Sequence, residues 1–127
     1  NGPSDPRASN NDCRNSAPTC SNYGYAIDVF AAAGSPVYIP RVLGQSLTWS
    51  CGFAFENGGG TAGNTYICRS DQYTLIFTHL TNNARVSTIN SGEKFGELYP
   101  LGGGPHVHIE FAINGQFVKP EDYFCSI

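Results

Sequence analysis

This chain of 127 residues has only three histidines, and two of them stand two apart in the segment Pro105-His-Val-His-Ile-Glu110. At strand spacing, successive side chains point to opposite faces, so His106, His108 and Glu110 share one face and Val107, Ile109 and Phe111 take the core face. Two neutral imidazoles leaving one face are natural zinc ligands; they are also what a half-exposed polar strand face can carry without any metal. The third histidine, His79, ends the strand-like run Tyr73-Thr-Leu-Ile-Phe-Thr-His79. A carboxylate comes from Asp28, set inside the apolar run Tyr25-Ala-Ile-Asp-Val-Phe30. An acid in that position is costly unless it is paired, hydrogen-bonded or metal-bound.

The elements that must position these groups read as strands. From Tyr25 onward, short apolar runs are broken by Gly, Pro and Asn, the pattern of an all-β chain. The spacing predicts strands at Ala26–Phe30, Pro36–Ile39, Gly52–Phe55, Thr65–Cys68, Tyr73–His79, Lys94–Leu98, Val107–Phe111 and Gln116–Val118. Asn114-Gly115 between apolar residues is the strongest short hairpin signal. The glycine-rich segment Glu56–Gly63 predicts a flexible loop, because so much glycine costs a regular element entropy. A second glycine run, Gly102–Gly104, leads directly into the His-x-His strand. No long amphipathic helix and no internal repeat is visible. Residues 1–22, rich in Asn, Ser and Pro, read as an arm, and residues 23–127 as one β domain.

Composition narrows the function classes. Charged residues make up 13% of the chain, roughly half the usual share, and the formal net charge is −3 with no Lys/Arg cluster. That excludes the basic footprint of a nucleic-acid binder. No apolar run approaches the roughly 20 residues of a membrane span. Five cysteines, Cys13, Cys20, Cys51, Cys68 and Cys125, include no Cys-x-x-Cys pair. They point to an oxidising compartment, with two disulfides and one cysteine left over. Cys13–Cys20 and Cys51–Cys68 are the pairs closest in sequence, and an odd cysteine is either a buried thiol or an intermolecular bridge. Among the aromatic residues Tyr23, Tyr25, Trp49, Phe53, Phe55, Tyr66 and Tyr99, most alternate with small residues as core residues do. Trp49 and Tyr99 adjoin loops where they could stack on a sugar or a peptide.

Six segments, in order, carry a resemblance to the LytM/lysostaphin-type zinc endopeptidases. They are Ile27-Asp-Val29, Ala32-Ala-Gly-Ser-Pro-Val-Tyr38, Thr78-His-Leu80, Ile89-Asn-Ser-Gly-Glu-Lys-Phe-Gly96, Gly104-Pro-His-Val-His-Ile-Glu-Phe111 and Lys119-Pro-Glu-Asp-Tyr-Phe124. A looser similarity, in the cysteine-containing arm and the wording His-Val-His-Ile-Glu, is to the secreted leukocyte-cell-derived chemotaxins. The resemblance implies an antiparallel two-sheet β sandwich or open barrel of the duplicated-hybrid-motif kind, stabilised by disulfide, with a cleft lined by Asp28, His79, His106 and His108. It puts Asp28 and His108 on zinc-ligand positions, His106 on the general-base position, and His79 on the position that orients water or stabilises an oxyanion. Members of the family cut peptide cross-links of bacterial cell walls, often at glycine bonds.

One position departs from the family pattern. The third protein ligand there is a His four residues before the Asp, and here that residue is Gly24. A catalytic zinc normally has three protein ligands plus water. Asn22, Tyr23, Tyr25 and a reduced Cys20 are the conceivable substitutes. The expectation is therefore a secreted, catalytically degenerate module with zinc weak or absent. Such a module would bind an extracellular peptide, glycan or protein partner, or self-assemble through its arm or its odd cysteine. The alternative is a zinc-dependent endopeptidase acting on peptidoglycan cross-links or other Gly-rich peptides.

Overall fold

Residues 26–124 are described by the structure, a computed structural model. Within them the chain runs through nine strands: β1 (Ala26–Phe30), β2 (Pro36–Tyr38), β3 (Thr48–Glu56), β4 (Asn64–Ser70), β5 (Tyr73–Leu80), β6 (Thr88–Asn90), β7 (Lys94–Glu97), β8 (His106–Ile113) and β9 (Gln116–Val118). One helical turn, α1 (Glu121–Phe124), follows. Seven strands form one sheet in the order β1-β8-β5-β4-β3-β6, with β9 also paired to β8. Strands β2 and β7 form a separate two-stranded ribbon. Every pairing is antiparallel. The all-β, antiparallel, disulfide-containing expectation is met at that level, as one large sheet and one small ribbon.

The core lies where the ribbon covers the sheet. Val107, Ile109 and Phe111 of β8 join Leu75 and Phe77 of β5, Tyr66 of β4 and Trp49 of β3 in one buried cluster. The ribbon contributes Val37 and Phe95, and the Phe95 ring sits 5.3 Å from Phe77 and 5.5 Å from Tyr66. Each such side chain, fully buried, contributes about 1.5–3 kcal/mol. Cys51 and Cys68 face each other across the β3–β4 ladder and form a disulfide. Cys13, Cys20 and Cys125, and with them the other expected bridge, lie outside the described residues.

Several expectations need correction. Strand β3 begins at Thr48, four residues before the predicted start, because Trp49 and Cys51 already alternate inward. Strand β6 was not expected at all; three residues are too few to show a period. The Glu56–Gly63 segment contains a 3-10 turn at Gly58–Gly60. Asn57 N–H donates to Gly63 O at 2.8 Å and Ala62 N–H to Asn57 O at 3.1 Å, which cross-brace it. Phe53 and Phe55, expected among the core aromatics, are 55% and 41% exposed. Trp49 is buried rather than at a cleft, its Nε1–H donating to Ser91 Oγ at 3.2 Å.

Candidate functional site

The face of β8 opposite the core carries the chemistry. Register sets Asp28 beside His108, Phe30 beside His106 and Ala26 beside Glu110 across the β1–β8 ladder. On the other flank Thr78 of β5 pairs with His108. Asp28, His108 and Glu110 therefore meet because β1 and β8 hold their period-2 alternation in phase.

His79 reaches the site differently. Leu75 and Phe77 point to the core, so unbroken alternation would send residue 79 there too; instead Leu80 is the buried one. The slip of one residue is absorbed at His79, whose φ of +74° lies in the left-handed region. A non-glycine residue held there costs about 1–3 kcal/mol, and such strain is typical of functional positions. The imidazole is brought within 4.8 Å (ring centroids) of His106. Its Nδ1–H donates to Ala62 O at 2.7 Å. Gly63 makes that approach possible: at φ +77° a Cβ there would lie 2.8 Å from Leu80 O and 2.9 Å from the Tyr99 Cβ.

His106, whose side chain is 16% exposed, packs against the Phe30 ring at 4.6 Å. Its Nδ1–H donates to Gly104 O at 3.0 Å, and its Nε2 lies 4.0 Å from Asp28 Oδ1. Both His79 and His106 thus direct their N–H to a backbone carbonyl, which fixes the tautomer and leaves Nε2 as the lone-pair nitrogen of the neutral ring.

His108, 2% exposed, is held at both ends. Nδ1 is 3.0 Å from Asp28 Oδ1, and Nε2 is 2.9 Å from Oε2 of the fully buried Glu110. Burial alone would lower its pKa. The hydrogen bonds to Asp28 and Glu110, together with their charges, outweigh that and hold the pKa above the ordinary imidazole value. His79 shifts the other way: burial lowers its pKa, the bond to Ala62 opposes this, and His106 and His108 add to the lowering.

The four residues singled out in sequence are thus together in space. Glu110 was noticed there only as the next residue on the face; its i, i+2 spacing from His108 was the available signal. Behind His108 the Thr78 and Thr65 hydroxyls hydrogen-bond at 3.1 Å, and Thr65 donates to Asn57 Oδ1 at 2.8 Å. Tyr99 lines a neighbouring cavity of about 340 Å³ with Glu56, Asn64, Thr81, Asn82 and Pro100.

The donor set fits a metal in part. Asp28 Oδ1 and His108 Nδ1 stand 3.0 Å apart, near the roughly 3.4 Å expected for two ligands on a tetrahedral zinc. A carboxylate on the far imidazole nitrogen, as Glu110 provides, is the usual outer support of a ligating histidine. Yet among the described residues no three His, Cys, Asp or Glu side chains are grouped to hold a metal ion. Gly24 and its conceivable substitutes Cys20, Asn22, Tyr23 and Tyr25 lie outside the described residues; a glycine has no side-chain donor in any conformation. Among the described residues the donors do not by themselves complete a zinc site.

No protein-family model matches the chain, and no curated protein matches it. Among the described residues no helix is long and apolar enough to cross a membrane.

Proposed function

We propose that the chain is a lysostaphin-type peptidase-like β domain whose cleft binds an extracellular peptide, glycan or protein partner without cleaving it. The observation that carries this reading is His108 bridging Asp28 and Glu110 at 3.0 and 2.9 Å. An imidazole held between two carboxylates satisfies one oxygen of each and offsets part of their charge without a metal. To ligate zinc at Nδ1 it would first have to give up a proton that both carboxylates stabilise. Two such donors among the described residues, one fewer than a catalytic zinc normally has, give less binding free energy to set against that exchange. The disulfide supports an oxidising, extracellular setting.

A second reading, a zinc-dependent endopeptidase for Gly-rich peptides or peptidoglycan cross-links, is favoured by the Asp28–His108 spacing and by the support from Glu110. A zinc ion would be held by Asp28 and His108 and would polarise a scissile carbonyl. It still needs a third donor.

Metal analysis after gel filtration, paired with an assay on a Gly-rich peptide, separates the two readings. The binding reading expects substoichiometric zinc and no hydrolysis above buffer. Stoichiometric zinc that disappears in His108→Ala, together with hydrolysis, would overturn it.

A further inference from the structure

The cavity of about 340 Å³ beside the histidines is lined by Glu56 at the end of β3, Gly63 and Asn64 at the start of β4, Asn82 in the turn after β5, and Tyr99. Backbone bonds fix its frame. Asn64 stands in register between Glu56 of β3 and Leu80 of β5. Tyr99 N–H donates to His79 O at 3.0 Å, and Thr81 N–H to Glu97 O at 2.9 Å. Two glycines shape the walls. A Cβ at Gly63 would meet the Tyr99 Cβ at 2.9 Å, so glycine lets the tyrosine close on the loop. A Cβ at Gly60 would rest 3.9 Å from the Glu56 carboxyl group, and glycine leaves that side of the carboxyl open.

Four of the lining side chains can hydrogen-bond: the Glu56 carboxylate, the Asn64 and Asn82 amides and the Tyr99 hydroxyl. Among the described residues none of them has a partner. The carboxylate accepts only, whereas the amides and the phenol both donate and accept. No Lys or Arg lines the cavity, so nothing there balances an anion. A small cation would use the carboxylate and leave the amide N–H groups without an acceptor. An extended peptide adds to a free sheet edge, and here Asn64 already has a ladder partner on each side. A neutral sugar ring suits the whole set. Its hydroxyls donate to Glu56 and exchange bonds in both directions with the amides, while its C–H face packs on the tyrosine ring. We infer that this cavity binds a neutral pyranose residue of a glycan, with Tyr99 as the stacking platform and Glu56, Asn64 and Asn82 as its hydroxyl partners. This rests on the reading of the domain as a binding module and narrows its partner to a glycan.

The test titrates the full chain with the methyl glycosides of glucose, galactose, mannose and N-acetylglucosamine. Proton–nitrogen-15 spectra follow the side-chain amides of Asn64 and Asn82, with sorbitol (hydroxyls without a ring) and tetraglycine (peptide groups without hydroxyls) as controls. The expected result is a saturable shift of both amides with at least one glycoside. Tyr99→Leu should weaken that binding at least about fivefold. Asn82→Ala, which removes an exposed side chain bonded to none of the described residues, should weaken it about threefold or more, read at Asn64. Binding undiminished in either variant overturns the inference, and the second variant keeps the test open if the first does not fold. No shift with any of the four glycosides overturns it, as does equal binding of sorbitol; shifts with tetraglycine alone would assign the cavity to a peptide. Zinc-dependent hydrolysis of a Gly-rich peptide would instead overturn the underlying binding reading; no hydrolysis and no sugar shift would overturn this inference alone.

Discussion

Asp28 Oδ1 and His108 Nδ1 lie 3.0 Å apart, on facing residues of the β1–β8 ladder but 80 positions apart in sequence. The contact ties the first strand of the described fold to β8, which also pairs with β5 and β9. It also uses the pair of residues that the resemblance puts on zinc-ligand positions.

Removing the imidazole should be severe. His108→Ala leaves two buried carboxyl groups without their shared partner, and loss of one member of such a set typically costs about 3–5 kcal/mol. Urea denaturation of His108→Ala, Asp28→Asn and the double variant measures it, and the double variant should cost clearly less than the sum of the two. Additive losses would mean that the two residues do not act as a unit.

Stability should be bell-shaped in pH, with its maximum near the unperturbed histidine value of about 6.5. His108 has a raised folded pKa, so its contribution is complete below the unfolded value and is lost as pH rises through the folded one. His79 has a lowered folded pKa, so its contribution is complete above the unfolded value and is lost as pH falls through the folded one. Melting temperatures across this range should lose the alkaline limb in His108→Gln. They should lose the part of the acid limb just below the maximum in His79→Gly.

At His79 the usual order of substitutions should reverse. Because φ is +74°, His79→Gly should be more stable than His79→Ala by about 1 kcal/mol, although glycine is ordinarily the worse strand residue. Thermal melts of the two variants decide it; Ala equal to or better than Gly would mean that the backbone there is not strained.

The Cys51–Cys68 bridge spans 17 positions, and a loop of that size corresponds to about 3 kcal/mol. The double variant Cys51→Ala/Cys68→Ala should lower stability by about that amount in chemical denaturation. It should leave the nitrogen-15 signals of His108 in place, since the two cysteines belong to the core cluster and the imidazole lies on the opposite face of the sheet.

Supplying the missing imidazole tests the resemblance itself. Structural zinc sites bind with about 10–16 kcal/mol shared among four ligands, so Gly24→His should raise zinc affinity roughly a hundredfold. No gain in a zinc competition titration would mean that residue 24 does not stand where the resemblance puts it.

The site was legible where period-2 spacing alone decides it. His106, His108 and Glu110 had to share a face, and Val107, Ile109 and Phe111 had to face the core. Asp28 was suspicious as an acid inside an apolar strand, and the ladder does pair it with His108. What sequence did not carry depends on departures from the period. His79 reaches the other two histidines only through a one-residue slip at a positive φ, which nothing in Thr78-His79-Leu80 announces. The glycine-rich loop has the composition of flexible chain, yet it is braced by its own hydrogen bonds and holds the His79 ring through Ala62 O. Trp49 adjoins a loop in sequence, but its strand turns it inward. Burial of that ring is a tertiary outcome that its neighbours in sequence do not encode.

The most direct measurement is the long-range proton–nitrogen-15 spectrum of the imidazoles at neutral pH with equimolar zinc present. If the site is held together without metal, the His108 Nδ1 and Nε2 resonances do not move when zinc is added. A deprotonated, metal-shifted Nδ1 on His108 would contradict that and return the cleft to the zinc endopeptidases.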